Sequence, residues 1–212
     1  MECTGHSHDH DHEDELGRSL RPLIDFPRVF CLNEDTVDSG KRVLKLHEER
    51  LSISPSLLSP EGDPELLLYI PFTESVTLQS VSIRSVVASQ DTASPKTIRL
   101  FTNRDDLDFD TARELVPQMT LELLPPHHDV EGTIDYPVRP AGRFQSIYSL
   151  TIFFMDNYDD DGLLATELSF VGLKGKGMKM KRQAVETVYE SQGMPSDHKV
   201  PGASYETSHD LM

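Results

Sequence analysis

Four histidines stand at alternate positions near the start of the chain, and they are its densest set of potential ligands. His6, His8, His10 and His12 are interleaved with Ser7, Asp9 and Asp11. Imidazole and carboxylate together suit Zn²⁺, Ni²⁺ or Cu²⁺. A selective site also needs neighbours that orient each ring, and so polar a stretch offers none. The expectation is a solubilising tail with weak, adventitious affinity for divalent metal, and no resident cofactor.

Residues 157–167 invite a calcium reading. Asn157, Asp159, Asp161 and Gly162 match the early positions of an EF-hand loop. The closing position, where a bidentate glutamate is required, falls on Leu168, one past Glu167. The flanks read as strands, not helices, so the segment is expected to be a solvated acidic turn. A looser calcium site of the jelly-roll kind is the alternative there. His127 and His128 follow two prolines and read as an exposed loop. Cys31 lies between Phe30 and Leu32, the setting of a small buried hydrophobe. Its only companion is Cys3, and no C-x-x-C pair exists. Thiol–disulfide exchange is therefore not expected. Lys174, Lys176, Lys179, Lys181 and Arg182 form a basic cluster, read as a solvated linker, with nuclear import or an acidic partner as alternatives.

The chain has 212 residues, which suits one domain with tails. Its net charge is −16, from 36 acidic and 20 basic residues. That balance disfavours phosphate backbones and anionic membranes, so neither direct nucleic-acid nor membrane binding is expected. No apolar run approaches the ~20 residues that span a bilayer. The first residues lack a secretory pattern, so a reducing compartment is expected for both thiols.

The elements that must position these groups are mostly strands. Residues 1–17 are expected to be a disordered tail, 18–190 the folded domain and 191–212 a flexible C-terminal tail. Residues 19–34 read as an irregular lead-in with a helical turn. Residues 66–70 read as a strand buried on both faces and stopped by Pro71. Across 76–87 the apolar parity changes, from Val76 and Leu78 to Val81 and Ile83, which implies a bulge or burial on both faces. Strands are expected over 97–101, 119–123, 134–138, 147–154 and 166–173, with a short helix over 109–115. In the 147–154 strand, Tyr148, Leu150, Ile152 and Phe154 are assigned to one face. Seven or eight short strands with turns between them argue for an all-β sandwich or jelly roll.

Several pieces together resemble the PITH family. They are CLNE at 31–34, PELLLYIPF at 64–72, IRLFTNRDDLDFD at 98–110, RFQSIYSLTIFFMDN at 143–157 and FVGLKG at 170–175. VYES at 188–191 and SDHKV at 196–200 complete the set, and GHSHDHDHEDE is similar to the start of stand-alone PITH proteins. The resemblance covers roughly residues 20–201. It implies a galactose-binding-domain-like jelly roll without enzymatic activity. It further implies association with the proteasome regulatory particle, in cytoplasm and nucleus; a monomer is expected. The C-terminal tail, with Asp197, His198 and Lys199, is the expected partner contact. A non-enzymatic nuclear regulator of gene expression and a metal- or carbohydrate-binding jelly roll are the alternatives.

Overall fold

The computed structural model describes residues 17–85, 90–125 and 133–178. These belong to one compact unit, Met1–Lys179; a second, Met180–Met212, lies outside the described residues, as does the expected boundary at residue 190. The strands are β1 (Arg18–Ser19), β2 (Phe30–Leu32), β3 (Leu57–Leu58), β4 (Leu66–Arg84), β5 (Thr92–Ala93) and β6 (Thr97–Thr102). They continue with β7 (Met119–Glu122), β8 (Ile134–Pro137), β9 (Ile147–Phe154), β10 (Ala165–Leu168) and β11 (Phe170–Gly177). Two short helices, α1 (Ser39–Arg42) and α2 (Phe109–Glu114), join them.

Among the described residues, eight strands form one sheet in the order β1-β11-β4-β9-β6-β7, with β2 and β8 also on β4. A small second sheet runs β3-β10-β5. Strand β4 is long enough to serve two sets of neighbours. Its first part pairs with β2 and β9, its second with β11 and β8. Curled this way, one strand lends apolar residues to a shared core. Leu66, Leu68 and Ile70 from its first part and Val76, Leu78, Val81 and Ile83 from its second all join the same buried cluster. The result is a jelly-roll β-sandwich. A smaller cluster of Leu67, Phe101, Leu107, Ala112 and Phe153 occupies the other face, beneath α2.

The expected stop at Pro71 is not observed, because β4 runs through it. Proline cannot donate to a ladder, so it is tolerated where pairing lapses. The β4–β9 register shifts between Pro71 and Val76, and the Pro71 carbonyl instead accepts the Asp25 N–H at 2.9 Å. The parity change farther along is a true bulge. Lys174 pairs with Ser80 but Gly175 pairs with Leu78, which leaves Gln79 unmatched. A Cβ on Gly175 would lie 2.0 Å from the Thr77 carbonyl oxygen, so the bulge needs a residue without one there.

Tyr148 does not face the core with Leu150, Ile152 and Phe154. It is 62% exposed, and Ile147 takes the buried position at that end. The lapse in β4–β9 pairing falls here, so strict alternation no longer governs. The expected strand over 166–173 is two strands. Its chain leaves the small sheet after Leu168 and enters the large one at Phe170. The lead-in contains two single 3₁₀ turns (Arg21–Leu23 and Phe26–Arg28) before β2.

A candidate binding groove

The chemistry-bearing motifs prove to be joints of the scaffold. In CLNE, Asn33 adopts the left-handed conformation, with φ 64°, and its Nδ2 donates to the Glu65 carbonyl at 2.8 Å. That turn lets the Glu34 carboxylate collect the N–H groups of Asp38 at 2.6 Å and Gly40 at 2.8 Å and the Ser39 hydroxyl at 3.2 Å. Cys31 packs against Gly40, where a Cβ would come within 2.5 Å of its own Cβ. Cys31 keeps some open surface, yet burial raises its thiol pKa well above the ordinary range. The charge of Glu34 adds to this, against a backbone hydrogen bond at Leu67. Thiolate, the reactive form, is therefore scarce. With Ellman's reagent at pH 8, the native chain is expected to show a slow phase of one thiol. Guanidinium should make that phase fast, and Cys31→Ser should remove it.

Residues 157–164 are likewise self-satisfied. Asn157 is buried; its Nδ2 donates to the Leu164 carbonyl at 2.9 Å, and its Oδ1 accepts the Asp159 N–H at 3.0 Å. Asp159 accepts N–H groups from Leu163 at 2.7 Å, Leu164 at 2.9 Å and Asp161 at 3.4 Å. Among the described residues, no three His, Cys, Asp or Glu side chains are placed to hold a metal. The hydrogen bond from Leu164, followed by those from Leu163 and Asp161, holds the Asp159 carboxyl below its ordinary value. A depressed carboxyl pKa stabilises the fold above the unfolded value of ~3.9, and that contribution fades as pH falls through the folded value. The melting-temperature gap between wild type and Asp159→Asn should therefore be widest near neutrality and close in acid. A gap that widens in acid would contradict it.

His6, His8, His10, His12, His127, His128, Asp197, His198 and Lys199 all lie outside the described residues. A concavity formed by the described residues involves none of them. It is a groove of about 120 Å³ between the lead-in, residues 44–48 and one face of β11. Backbone hydrogen bonds build its walls. The Leu20 N–H donates to the Leu173 carbonyl at 2.8 Å, and the Val171 N–H to the Val43 carbonyl at 2.9 Å. The two flanking segments are thus pinned along β11. Strand alternation puts Phe170, Gly172 and Lys174 on one face, and the Phe170 ring folds over Gly172, where a Cβ would come within 2.7 Å of it.

The groove has three cations. Arg21 donates from Nε to the Leu44 carbonyl at 2.8 Å, and its guanidinium lies 4.9 Å from the centre of the Phe26 ring. Lys45 is 7% exposed and donates from Nζ to the Ser52 carbonyl at 2.9 Å. Burial lowers its pKa, with Glu49 opposing and the charge of Arg84 adding to the shift. Lys174 is 8% exposed and pairs with Asp135 at 2.7 Å, and Asp135 also accepts the Ser82 hydroxyl. The expected solvated linker thus loses its first lysine to the sandwich. Alternation across FVGLKG was the available signal, since it sets Lys174 on the face of Phe170. Nothing in the sequence joined Arg21 and Lys45 to it.

The PITH domain model matches residues 10–193. The chain belongs to the PITH domain family. It is 32% identical to PITH domain-containing protein 1 of Mus musculus over 200 residues, covering 93% of this chain and 89% of that one. A PITH domain-containing protein of Drosophila pseudoobscura is 35% identical over 208 residues, covering 92% and 93%. Among solved structures, the CBM32-3 module of a family 31 glycoside hydrolase from Clostridium perfringens superposes with a TM-score of 0.50. That match covers 73% of this chain and 95% of the module at 12% identity, a likeness of fold alone. The jelly roll expected of a PITH domain is thus the fold observed.

Proposed function

We propose that this PITH domain is a non-enzymatic protein-interaction module that associates with the regulatory particle of the proteasome, in cytoplasm and nucleus. One observation carries the protein-binding part. Leu46, Leu51 and Ile53, close together in sequence, are all exposed, and Leu46 also lines the groove. Apolar side chains scattered singly need no explanation, but three on one short segment suit a contact surface. The proteasome as partner rests on the family resemblance alone. The C-terminal tail with Asp197, His198 and Lys199 is the second proposed contact, since a polar tail can order on a partner.

Recovery of proteasomes from native lysate on the untagged chain tests this reading. Wild type should recover them. A Leu46→Ser/Leu51→Ser/Ile53→Ser variant, and truncation after Gln192, should each recover fewer while melting like wild type. Equal recovery by both variants would place the contact elsewhere on the sandwich. No recovery by wild type would remove the proteasome as partner.

A further inference from the structure

We infer that the groove between the lead-in and residues 44–48 binds an acidic linear peptide of a partner protein, with a carboxylate on Arg21 and an apolar side chain on the floor. The inference rests on the reading of the chain as a protein-binding module only in taking a peptide as the source of the anion.

Charge complementarity selects the ligand. The chain carries −16 overall, yet this groove is lined by Arg21, Lys45 and Lys174 against Glu48 in the lining and Asp135 on Lys174, which leaves a positive balance at the Arg21 end. The cations are not equivalent. Lys174 is committed to Asp135 and Lys45 to the Ser52 carbonyl. Arg21 spends Nε on Leu44, and its two terminal amino groups make no hydrogen bond among the described residues. Those groups are the fork that a carboxylate accepts bidentately. The Leu44 hydrogen bond and the Phe26 ring already fix the guanidinium, so little side-chain entropy remains to be lost on binding. Behind them Lys45, bound only to a neutral carbonyl, adds positive potential without needing to move, while the charge of Lys174 is offset by Asp135.

The remaining surface argues for a peptide over other polyanions. Ile24, Leu44 and Phe170 give the groove an apolar floor, and exposed Leu46 extends it at the rim. A nucleic acid or an anionic bilayer would meet the negative charge of the rest of the molecule over a wide area. A short peptide meets only the groove.

The test uses the full chain and a fluorescein-labelled peptide of alternating glutamate and leucine, followed by fluorescence anisotropy. Binding should weaken with salt, and the same peptide with glutamine for glutamate should bind at least tenfold more weakly. Arg21→Ala should weaken binding by about tenfold or more, the loss of a charge-assisted hydrogen bond. Arg21 also tethers the Leu44 segment, so Leu46→Asp supplies a second variant that keeps the tether and adds a repelling charge at the rim. Arg139→Ala, an exposed cation that does not line the groove, should bind like wild type. Amide exchange should slow at residues 44–48 and 171–174 when the peptide binds.

Equal binding by wild type, Arg21→Ala and Leu46→Asp would overturn the inference, as would equal binding of the glutamine peptide. Phosphatidylserine vesicles or single-stranded RNA occupying these residues in preference to the peptide would overturn it too. Because this titration needs no proteasome, its outcome is separable from the proposed function. Failure to recover proteasomes leaves the groove standing, while loss of peptide binding with recovery intact removes the groove alone.

Discussion

Ile152→Asp should leave the chain without a cooperative unfolding transition at neutral pH. Ile152 is fully buried, and its register neighbours, Leu68 on β4 and Leu100 on β6, are fully buried as well. Loss of a buried isoleucine costs about 2–5 kcal/mol before any charge is considered. An unpaired carboxylate among three apolar strands must then lose its hydration or stay protonated, at a further cost of several kcal/mol. Small domains are stable by only about 5–15 kcal/mol, so the sum reaches the whole stability. Ile152→Val should cost about 0.5–1.5 kcal/mol and keep a sharp transition. Urea unfolding followed by far-ultraviolet circular dichroism measures both. A soluble Ile152→Asp variant that unfolds as cooperatively as wild type would show that this face is not core.

The same strand shows how far the sequence could be read. Residues 147–154 announce a strand through local chemistry, and β9 has those bounds. Helix α2 falls within the expected 109–115, and Asp108 caps it, accepting the Thr111 N–H at 2.8 Å. The bulge at Gln79 was legible as a change of parity, since a single extra residue flips every later side chain. What escaped depended on distant partners. Proline breaks a strand only where a backbone N–H is needed, and whether one is needed at position 71 depends on the β4–β9 register. The exposure of Tyr148 follows from that same lapse in pairing. The break at Ser169 depends on which sheet receives each half. Residues 35–58 gave no periodic pattern and no expectation. They nevertheless carry α1, β3 and the wall of the groove, because a segment tied down by Glu34 and by the Val43 carbonyl needs little periodicity of its own. Binding sites assembled from Arg21, Lys45 and Lys174 leave no local signature, since their spacing in sequence is set by the topology.

Asp135→Ala should be the most costly single change outside the apolar core, and a second substitution should recover most of the loss. Asp135 on β8 and Lys174 on β11 flank β4 on opposite edges, and their side chains meet across its Ser80–Ser82 face at 2.7 Å. The lysine side chain is 10% exposed and the aspartate 24%. That difference sets the asymmetry. Without Asp135, a buried ammonium loses the carboxylate that offsets its desolvation, at a cost of about 3–5 kcal/mol. Without Lys174, Asp135 retains the Ser82 hydroxyl and some access to water, so Lys174→Met should cost less, about 1–2 kcal/mol. In the double variant Lys174→Met/Asp135→Ala neither charge is buried, and replacing a buried pair by apolar groups is often nearly neutral. Its stability should therefore exceed that of Asp135→Ala by at least about 2 kcal/mol. The pair is largely shielded from solvent, so the coupling should change little between low and high salt, unlike that of an exposed pair. Urea unfolding of the four chains closes the double-mutant cycle. Additive losses would mean that Lys174 and Asp135 meet without sensing each other, and would leave the closure of β8 and β11 across β4 to the backbone ladders alone.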